Sequence, residues 1–208
     1  MPRLMDMGLS RLQSAVVDMA TLAQESVLKA IQAYAKGEEI TEEALKRAKE
    51  LSTLASEVEE LAVELLARYQ PVATDLRFIK SCLEIAYGFS RFGRYAYDIA
   101  QVLQIYGDLS ECDKTVVQDL SVKVTKMIQT SIESFKNRDT KLARSLRQED
   151  DQVDKVYLDY NRQLSAGTTI PIKCALASAL VLRYLERIAD HACYIGDSVI
   201  YITTATKV

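Results

Sequence analysis

Apolar residues recur every three or four positions along most of this chain, a spacing that places them on one face of an α-helix. In the first segment this pattern runs from Leu9 to Tyr34, and Lys36 followed by Gly37 indicates the end of a helix. Similar breaks follow Tyr69, Tyr106, Asn137 and Leu164. The pattern predicts six long helices, over residues 4–36, 41–69, 76–106, 112–137, 139–164 and from Pro171 to about Thr203.

Polar residues at the predicted helix starts indicate where the first turns form. Thr41 precedes two glutamates, which suits an N-cap followed by acids in the first turn, where the helix dipole favours negative charge. Thr74 or Asp75 is expected to cap the third helix in the same way. Pro171 suits the first turn of the sixth helix, where a missing N–H has no cost.

The third and sixth helices resemble each other, which indicates an internal repeat. Placing residues 78–105 over 174–201 matches Arg91 with Arg187, Ala96 with Ala192 and Ile99 with Ile195. Three long helices joined by short loops pack as antiparallel neighbours. We therefore predict an all-α fold of two tandem, pseudo-symmetric three-helix bundles, residues 1–108 and 109–208, forming one compact unit.

Composition and charge exclude several classes of protein. A net charge of −3 gives no positive potential that would attract nucleic acid. The chain contains no run of about 18 uncharged apolar residues, so the sequence does not predict a membrane span. Nothing at the N-terminus predicts export. Of the four cysteines, three lie in apolar helical runs and none forms a CxxC pair, so we interpret all four as reduced residues of a cytosolic protein, namely Cys82, Cys112, Cys174 and Cys193.

Two pairs of carboxylates stand four residues apart on helices that are predicted to be neighbours. Such pairs most often lie on a solvated helix face. Glu186 and Asp190, however, interrupt the most apolar helix of the chain, where an unpaired charge is costly. Asp150 and Asp154 lie on the preceding helix, which must pack against it. Four carboxylates in one place favour a cation with oxygen ligands, so we predict a metal site between helices five and six.

The same residues carry a resemblance to a known family. The segment LRYLERIADHACYIGDSVIYIT resembles the signature helix of the PhoU family, QPVATDLRFI resembles the approach to the equivalent helix of the first repeat, and DDQVD resembles the family's second acidic element. The resemblance covers essentially the whole chain. It implies tandem three-helix bundles of the spectrin-repeat type and identifies the predicted metal ligands as Asp150, Asp154, Glu186 and Asp190.

The resemblance also implies a function. It indicates a non-enzymatic, cytoplasmic regulator of phosphate uptake and phosphate signalling, which docks on a subunit of a phosphate ABC transporter or on a signalling protein and forms a homodimer. The site would hold divalent or trivalent metal ions such as iron, zinc or magnesium. An accessory subunit of another transporter or of an ion channel remains an alternative.

The first repeat departs from this pattern. Ser90 and Arg94 stand where Glu186 and Asp190 stand in the second repeat. On helix two, Ala55 replaces one aspartate and Glu59 alone is kept. We hypothesise that Arg94 neutralises Glu59 or Glu60 across helices two and three and occupies the space of a metal.

The remaining polar residues favour structural roles. His191 is the single histidine, and its position about 100° round the helix from Asp190 favours a hydrogen-bonded interior or rim residue. One histidine without a nucleophile or a phosphate-binding glycine loop does not support acid–base catalysis. A di-metal oxidase would need a histidine three residues after Glu186, where Ala189 stands. Arg77, Arg183 and Arg187 are predicted to pair with acids of helix five.

Overall fold

The computed structural model describes residues 4–167 and 169–206. Six α-helices account for most of this part of the chain, which contains no strand, and the predicted all-α fold is confirmed. The helices are α1 (Leu4–Lys36), α2 (Thr41–Tyr69), α3 (Ala73–Tyr106), α4 (Thr115–Asn137), α5 (Thr140–Ser165) and α6 (Ile172–Thr204).

Helix starts differ from the predictions more than helix ends do. Helix α3 begins at Ala73, so Thr74 and Asp75 lie in its first turn instead of capping it, and Val72 takes the cap position. Ile40 occupies the cap of α2, while the Thr41 hydroxyl donates to the carbonyl oxygen of Ala100 at 3.4 Å. At α2, a tertiary hydrogen bond therefore takes the place of the local cap that the sequence predicts.

Two long helices form the centre of the molecule. Helices α3 and α6 pack against each other and run antiparallel, since Tyr95 contacts Tyr184 while Glu84, nearer the start of α3, meets Ser198 near the end of α6. Helices α1 and α2 pack on α3, helices α4 and α5 pack on α6, and α1 also contacts α4. The buried side chains join in one continuous hydrophobic core. The division into two repeats at residue 108 stays a prediction.

Two glycines allow α6 to approach its neighbours closely. A Cβ atom on Gly88 of α3 would lie 3.0 Å from Cγ1 of Ile195. A Cβ atom on Gly196 would lie 3.0 Å from the carbonyl oxygen of Ala143 on α5. Contacts this short require a neighbour to move. The two glycines thus set α6 tightly between α3 and α5, the two helices whose polar side chains face it.

The cysteine prediction is wrong for one pair. Cys112, in the loop between α3 and α4, forms a disulfide with Cys174 in the first turn of α6. Their Cα atoms lie 5.4 Å apart although 62 residues separate them along the chain, a proximity that only the tertiary fold creates. Cys82 and Cys193 are free and buried, as predicted.

Within the described ranges, no helix combines the length and apolar content that a bilayer crossing requires.

The disulfide generates a first testable prediction. Closing a loop of this length restricts the unfolded chain, so replacing both bonded cysteines (Cys112→Ser with Cys174→Ser) should lower the free energy of unfolding by about 4 kcal/mol. Urea unfolding followed by circular dichroism measures the difference. Dithiothreitol should destabilise the wild type to a similar extent and leave the double variant unchanged. Equal urea midpoints for oxidised wild type and double variant would contradict the bond.

Candidate functional site

The four predicted carboxylates lie together between α5 and α6. Burial raises the pKa of Asp150 to about 6, with further increases from the charges of Asp154 and Asp190. Burial is also the main cause of a raised pKa at Asp154, where Asp190 contributes next. The structure therefore brings acids from both helices close enough to interact electrostatically, in a partly desolvated place where negative charge is costly.

Glu186 is the most buried of the four acids. It is 8% exposed, and burial raises its pKa while Arg183 opposes the increase. Its Oε2 atom and the Oδ1 atom of Asp150 are buried without a hydrogen-bond partner. Buried carboxylate oxygens are normally satisfied, so these two atoms mark a place where a donor or a cation would be stabilised.

Two arginines of α6 form ion pairs with Glu186 and Asp190 of the same helix. Arg183 donates from Nη1 to Oε1 of Glu186 at 2.6 Å, and Arg187 donates from Nη1 to Oδ2 of Asp190 at 3.2 Å. The prediction that these arginines pair with acids of α5 is therefore wrong. Arginine and acid stand three residues apart in both cases, which places them on the same helix face.

The third arginine of that prediction, Arg77, is also placed differently. Its Nη2 atom donates to the hydroxyl oxygen of Thr74 at 3.1 Å, at the start of α3. Arg147 of α5 pairs with Asp197 of α6 and so joins the two helices.

A metal ion would have to compete with these arginines. In the described residues, no three histidine, cysteine, aspartate or glutamate side chains converge on a common ion position. The residue types nonetheless fit a hard cation, which prefers carboxylate oxygens, and the unpartnered atoms of Asp150 and Glu186 are such oxygens. Oε2 of Glu186 is available to an ion while Arg183 holds Oε1 of the same carboxylate.

Cys193 lies beside the carboxylate cluster between α5 and α6, although the sequence did not lead us to predict it there. Burial and the nearby charge of the Asp150 carboxylate raise the pKa of its thiol. Its position three residues after Asp190 and seven after Glu186 places it on the same helix face, which is the signal that could have found it.

The equivalent position in the first repeat is arranged differently. Arg94 pairs with Asp98 of its own helix, with 3.1 Å between Nε and Oδ1, and its guanidinium lies over the Tyr97 ring. The hypothesis that Arg94 neutralises Glu59 or Glu60 is therefore wrong, and both glutamates are exposed. An aspartate four residues along the same helix is a nearer partner than an acid on α2.

His191 faces α3 and lies apart from the carboxylate cluster. It is 6% exposed and packs among the rings of Tyr87, Tyr95 and Tyr194. Burial lowers its pKa to about 4, with Arg187 and Arg91 lowering it further, so the imidazole is neutral near pH 7. The interior position agrees with the sequence analysis, but the Nε2 atom has no hydrogen-bond partner.

Fold and site define an all-α protein with two central antiparallel helices and an acidic cluster between its last two helices. The family model of the PhoU domain matches residues 16–103 and 117–199, which together span most of the chain. The chain belongs to the PhoU family, as the sequence resemblance indicated.

Similar proteins of known name support this assignment. A relative from Methanothermobacter thermautotrophicus, named phosphate-specific transport system accessory protein PhoU homolog 1, is 30% identical over 176 residues, covering 82% of this chain and 80% of the relative. A similarly named PhoU homolog from Aquifex aeolicus is 32% identical over 200 residues, covering 94% and 90%.

Solved structures agree with the fold. The crystal structure of PhoU from Pseudomonas aeruginosa superimposes with a TM-score of 0.87 at 28% identity, covering 97% of this chain and 99% of that one. The phosphate transport system regulatory protein PhoU from Streptococcus pneumoniae has a TM-score of 0.90 at 21% identity, covering 98% and 99%, and shows the shared fold alone.

The raised pKa of Asp150 generates a prediction about stability and pH. An acid with a raised pKa binds its proton more tightly in the folded state, so its contribution to stability falls as pH rises from about 4 to about 6. In a chelator, Asp150→Asn should stabilise the protein by about 1 to 2 kcal/mol at pH 8, after allowing for solvent screening, and have little effect at pH 4. Urea unfolding at both pH values measures this.

The control is Asp151→Asn, which removes the same charge from an exposed neighbour. This variant should change the stability by less than about 0.5 kcal/mol at either pH. An equal effect of the two variants at pH 8 would show that general charge reduction, and not burial at the α5–α6 contact, causes the stabilisation.

Proposed function

We propose that this chain is a non-catalytic regulator of phosphate uptake and phosphate-dependent signalling, which acts by docking on a subunit of a phosphate ABC transporter or on a signalling protein. The observation that carries the proposal is the match of the PhoU domain to both halves of the chain. It is supported by relatives named as accessory proteins of phosphate-specific transport systems, which align with 80% to 90% of their own length.

The proposal includes a metal site in the second half of the chain. Asp150 and Asp154 would supply oxygen ligands from α5, and Glu186 and Asp190 would supply them from α6. A bound divalent or trivalent ion such as iron, zinc or magnesium would neutralise the cluster and join the two helices. The support is the charge density between the helices and the two buried carboxylate oxygens without a partner.

Arg183 and Arg187 give this site a built-in competitor. Each holds one oxygen of an α6 carboxylate in an ion pair and so competes with a metal ion for the charge of that carboxylate, although Oε2 of Glu186 has no partner. Metal affinity is therefore lowered by the positive charge that the two guanidinium groups place beside these carboxylates. Because Glu186 is largely buried, its pair with Arg183 opposes a metal ion more strongly than a fully exposed pair, which is worth about 1 kcal/mol or less.

Three further parts of the proposal rest on the family resemblance. A cytoplasmic location, with the membrane reached through a partner, no longer has the support of the cysteines, because Cys112 and Cys174 are bonded. A homodimer is a prediction that sedimentation equilibrium would test. The non-catalytic role agrees with the position of His191, which lies apart from the carboxylates among tyrosine rings.

Radiolabelled phosphate uptake tests the regulatory role. Cells of the source organism that lack this chain should take up phosphate at a rate that no longer falls when the medium is rich in phosphate, and re-expression should restore the response. Uptake that responds normally without the chain would contradict the proposal. If uptake of another solute loses its regulation instead, the chain serves a different transporter or an ion channel.

Metal analysis of purified protein tests the site. Loading with ferric, zinc or magnesium ions should give bound metal in the wild type and a loss of most of it in Glu186→Gln with Asp190→Asn. A matched control, Glu59→Gln with Glu60→Gln, removes two exposed charges from α2 and should retain full metal content. Arg183→Gln should bind the metal more tightly than the wild type. Equal metal content in all variants would show that Glu186 and Asp190 are not metal ligands.

A further inference from the structure

Two contacts at the ends of the acidic cluster fix the register of α5 against α6. Arg147 of α5 pairs with Asp197 of α6 at one end. At the other end, the guanidinium of Arg183 on α6 lies 5.6 Å from the centre of the Tyr157 ring on α5. The two helices therefore run antiparallel, and one turn forward along α5 corresponds to one turn backward along α6. Residues between these two contacts meet in pairs.

Cys193 lies on the face of α6 that meets Asp150. Asp150 follows Arg147 by three residues, and Cys193 precedes Asp197 by four, so both stand one turn inside the Arg147–Asp197 pair on the facing sides of the two helices. The sulfur is interior, since Cys193 is 2% exposed. Burial, and then the charge of the Asp150 carboxylate, raise the pKa of the thiol, which agrees with this placement. The cluster thus includes a sulfur atom.

Two further carboxylates lie beside this pair. Asp154 follows Asp150 by one turn on α5, and Asp190 precedes Cys193 by three residues on α6. Burial, and then the charges of Asp154 and Asp190, raise the pKa of Asp150. After burial, the charge of Asp190 is also the next cause of the raised pKa of Asp154. One thiol and three carboxylates are therefore close enough to interact with one another.

Two oxygen atoms of the cluster are buried without a hydrogen-bond partner. They are Oδ1 of Asp150 and Oε2 of Glu186, and Glu186 is more than nine-tenths buried. Burying a carboxylate oxygen without a partner is costly, so a positive ion bound beside these atoms would recover that energy. The unpartnered oxygens and the sulfur next to Asp150 together indicate a metal ion with both oxygen and sulfur ligands.

We propose that Cys193 is a ligand of the metal ion held between α5 and α6, and that its thiolate makes the site select zinc over magnesium. The inference rests on the metal site of the proposed function and names the ion that this site takes. Asp150, Asp154 and Asp190 supply oxygen ligands, which completes the four donors of a tetrahedral zinc site. Magnesium requires an octahedral shell of oxygens, whereas a thiolate favours zinc.

Binding requires rotation of the ligand side chains. In the described part of the chain, these side chains do not converge on one ion position. Aspartate and cysteine move their donor atoms by rotation about one or two bonds, so a bound ion can draw the four donors together. The thiol proton passes to solvent as the sulfur–zinc bond forms. Arg183 and Arg187 stay beside the site and offset part of the negative charge that a divalent ion leaves.

Cobalt provides a spectroscopic test, because Co²⁺ replaces Zn²⁺ in such sites and a cobalt–thiolate bond absorbs in the near ultraviolet. Cys112 and Cys174 are bonded, so Cys82 and Cys193 are the free thiols of the chain. Full-length protein, stripped of metal and kept under nitrogen, is titrated with CoCl₂. We expect a charge-transfer band that saturates at a single Co²⁺ per chain. Zn²⁺ should abolish the band, and excess Mg²⁺ should leave it unchanged.

Variants of the two free cysteines assign the band. Cys193→Ser should abolish it and weaken zinc binding by about 100-fold, the upper end of the loss caused by removing a group that supports a metal ligand. Magnesium binding should change by less than about threefold, because serine removes no oxygen ligand. Cys82→Ser alters the other buried thiol, on α3, and should keep both the band and the zinc affinity. Isothermal titration calorimetry measures the affinities.

A second variant at the same position controls for effects on folding. Cys193→Ala removes the thiol without burying a hydroxyl group and should match Cys193→Ser in both readouts. Circular dichroism of each metal-free variant should match that of the metal-free wild type. The band of the wild type is independent of any variant, so its presence or absence tests the sulfur–metal bond directly.

The possible results separate this inference from the metal site itself. Bound cobalt without the band, a band that persists in Cys193→Ser or is lost in Cys82→Ser, unchanged zinc affinity in Cys193→Ser, or displacement of cobalt by magnesium would each overturn the inference. Any of them would leave a site of carboxylates intact. A wild type that binds no metal would overturn both the inference and the metal site of the proposed function.

Discussion

The structure depends on the antiparallel contact between α3 and α6. Every other helix packs against one of these two, so their separation sets the positions of all six. The contact is close because Gly88 lies against Ile195, and aromatic side chains such as Tyr95 and Tyr184 fill the space further along. Since both helices are buried along most of their length, polar residues on them meet protein and not bulk water on most sides.

That burial explains how the charges of α6 are arranged. Glu186 and Asp190 are each held by an arginine three residues earlier on the same helix, so each pair is complete without any neighbouring helix. Among the described residues, no basic side chain forms an ion pair with Asp150 or Asp154 of α5, and burial together with the charges of Asp154 and Asp190 raises the pKa of Asp150. The acidic cluster is thus half neutralised, and its unsatisfied half is on α5 and at one oxygen of Glu186.

Hydrophobic periodicity predicts the number, length and ends of these helices well, because a 3.6-residue pattern repeated over 30 residues has one interpretation. It also places Asp150, Asp154, Glu186 and Asp190 on facing helices. Helix starts were less predictable, since Thr41 bonds to Ala100, 59 residues away, instead of capping its own helix.

Partner choice between charged side chains was the weakest part of the sequence analysis. Arg94, Arg183 and Arg187 each have an acid three or four residues away on their own helix, and a local partner costs less side-chain entropy than one on another helix. The unpartnered nitrogen of His191 depends on three tyrosines from two helices. No local sequence pattern predicts that these tyrosines surround the imidazole of His191.

The bond between Cys112 and Cys174 closes the chain into a covalent ring that contains α4 and α5 in full. The turn at Arg138 and Asp139, which joins these two helices, is therefore topologically redundant. A protease that cuts there would leave a nicked protein whose pieces stay linked through sulfur until a reductant separates them.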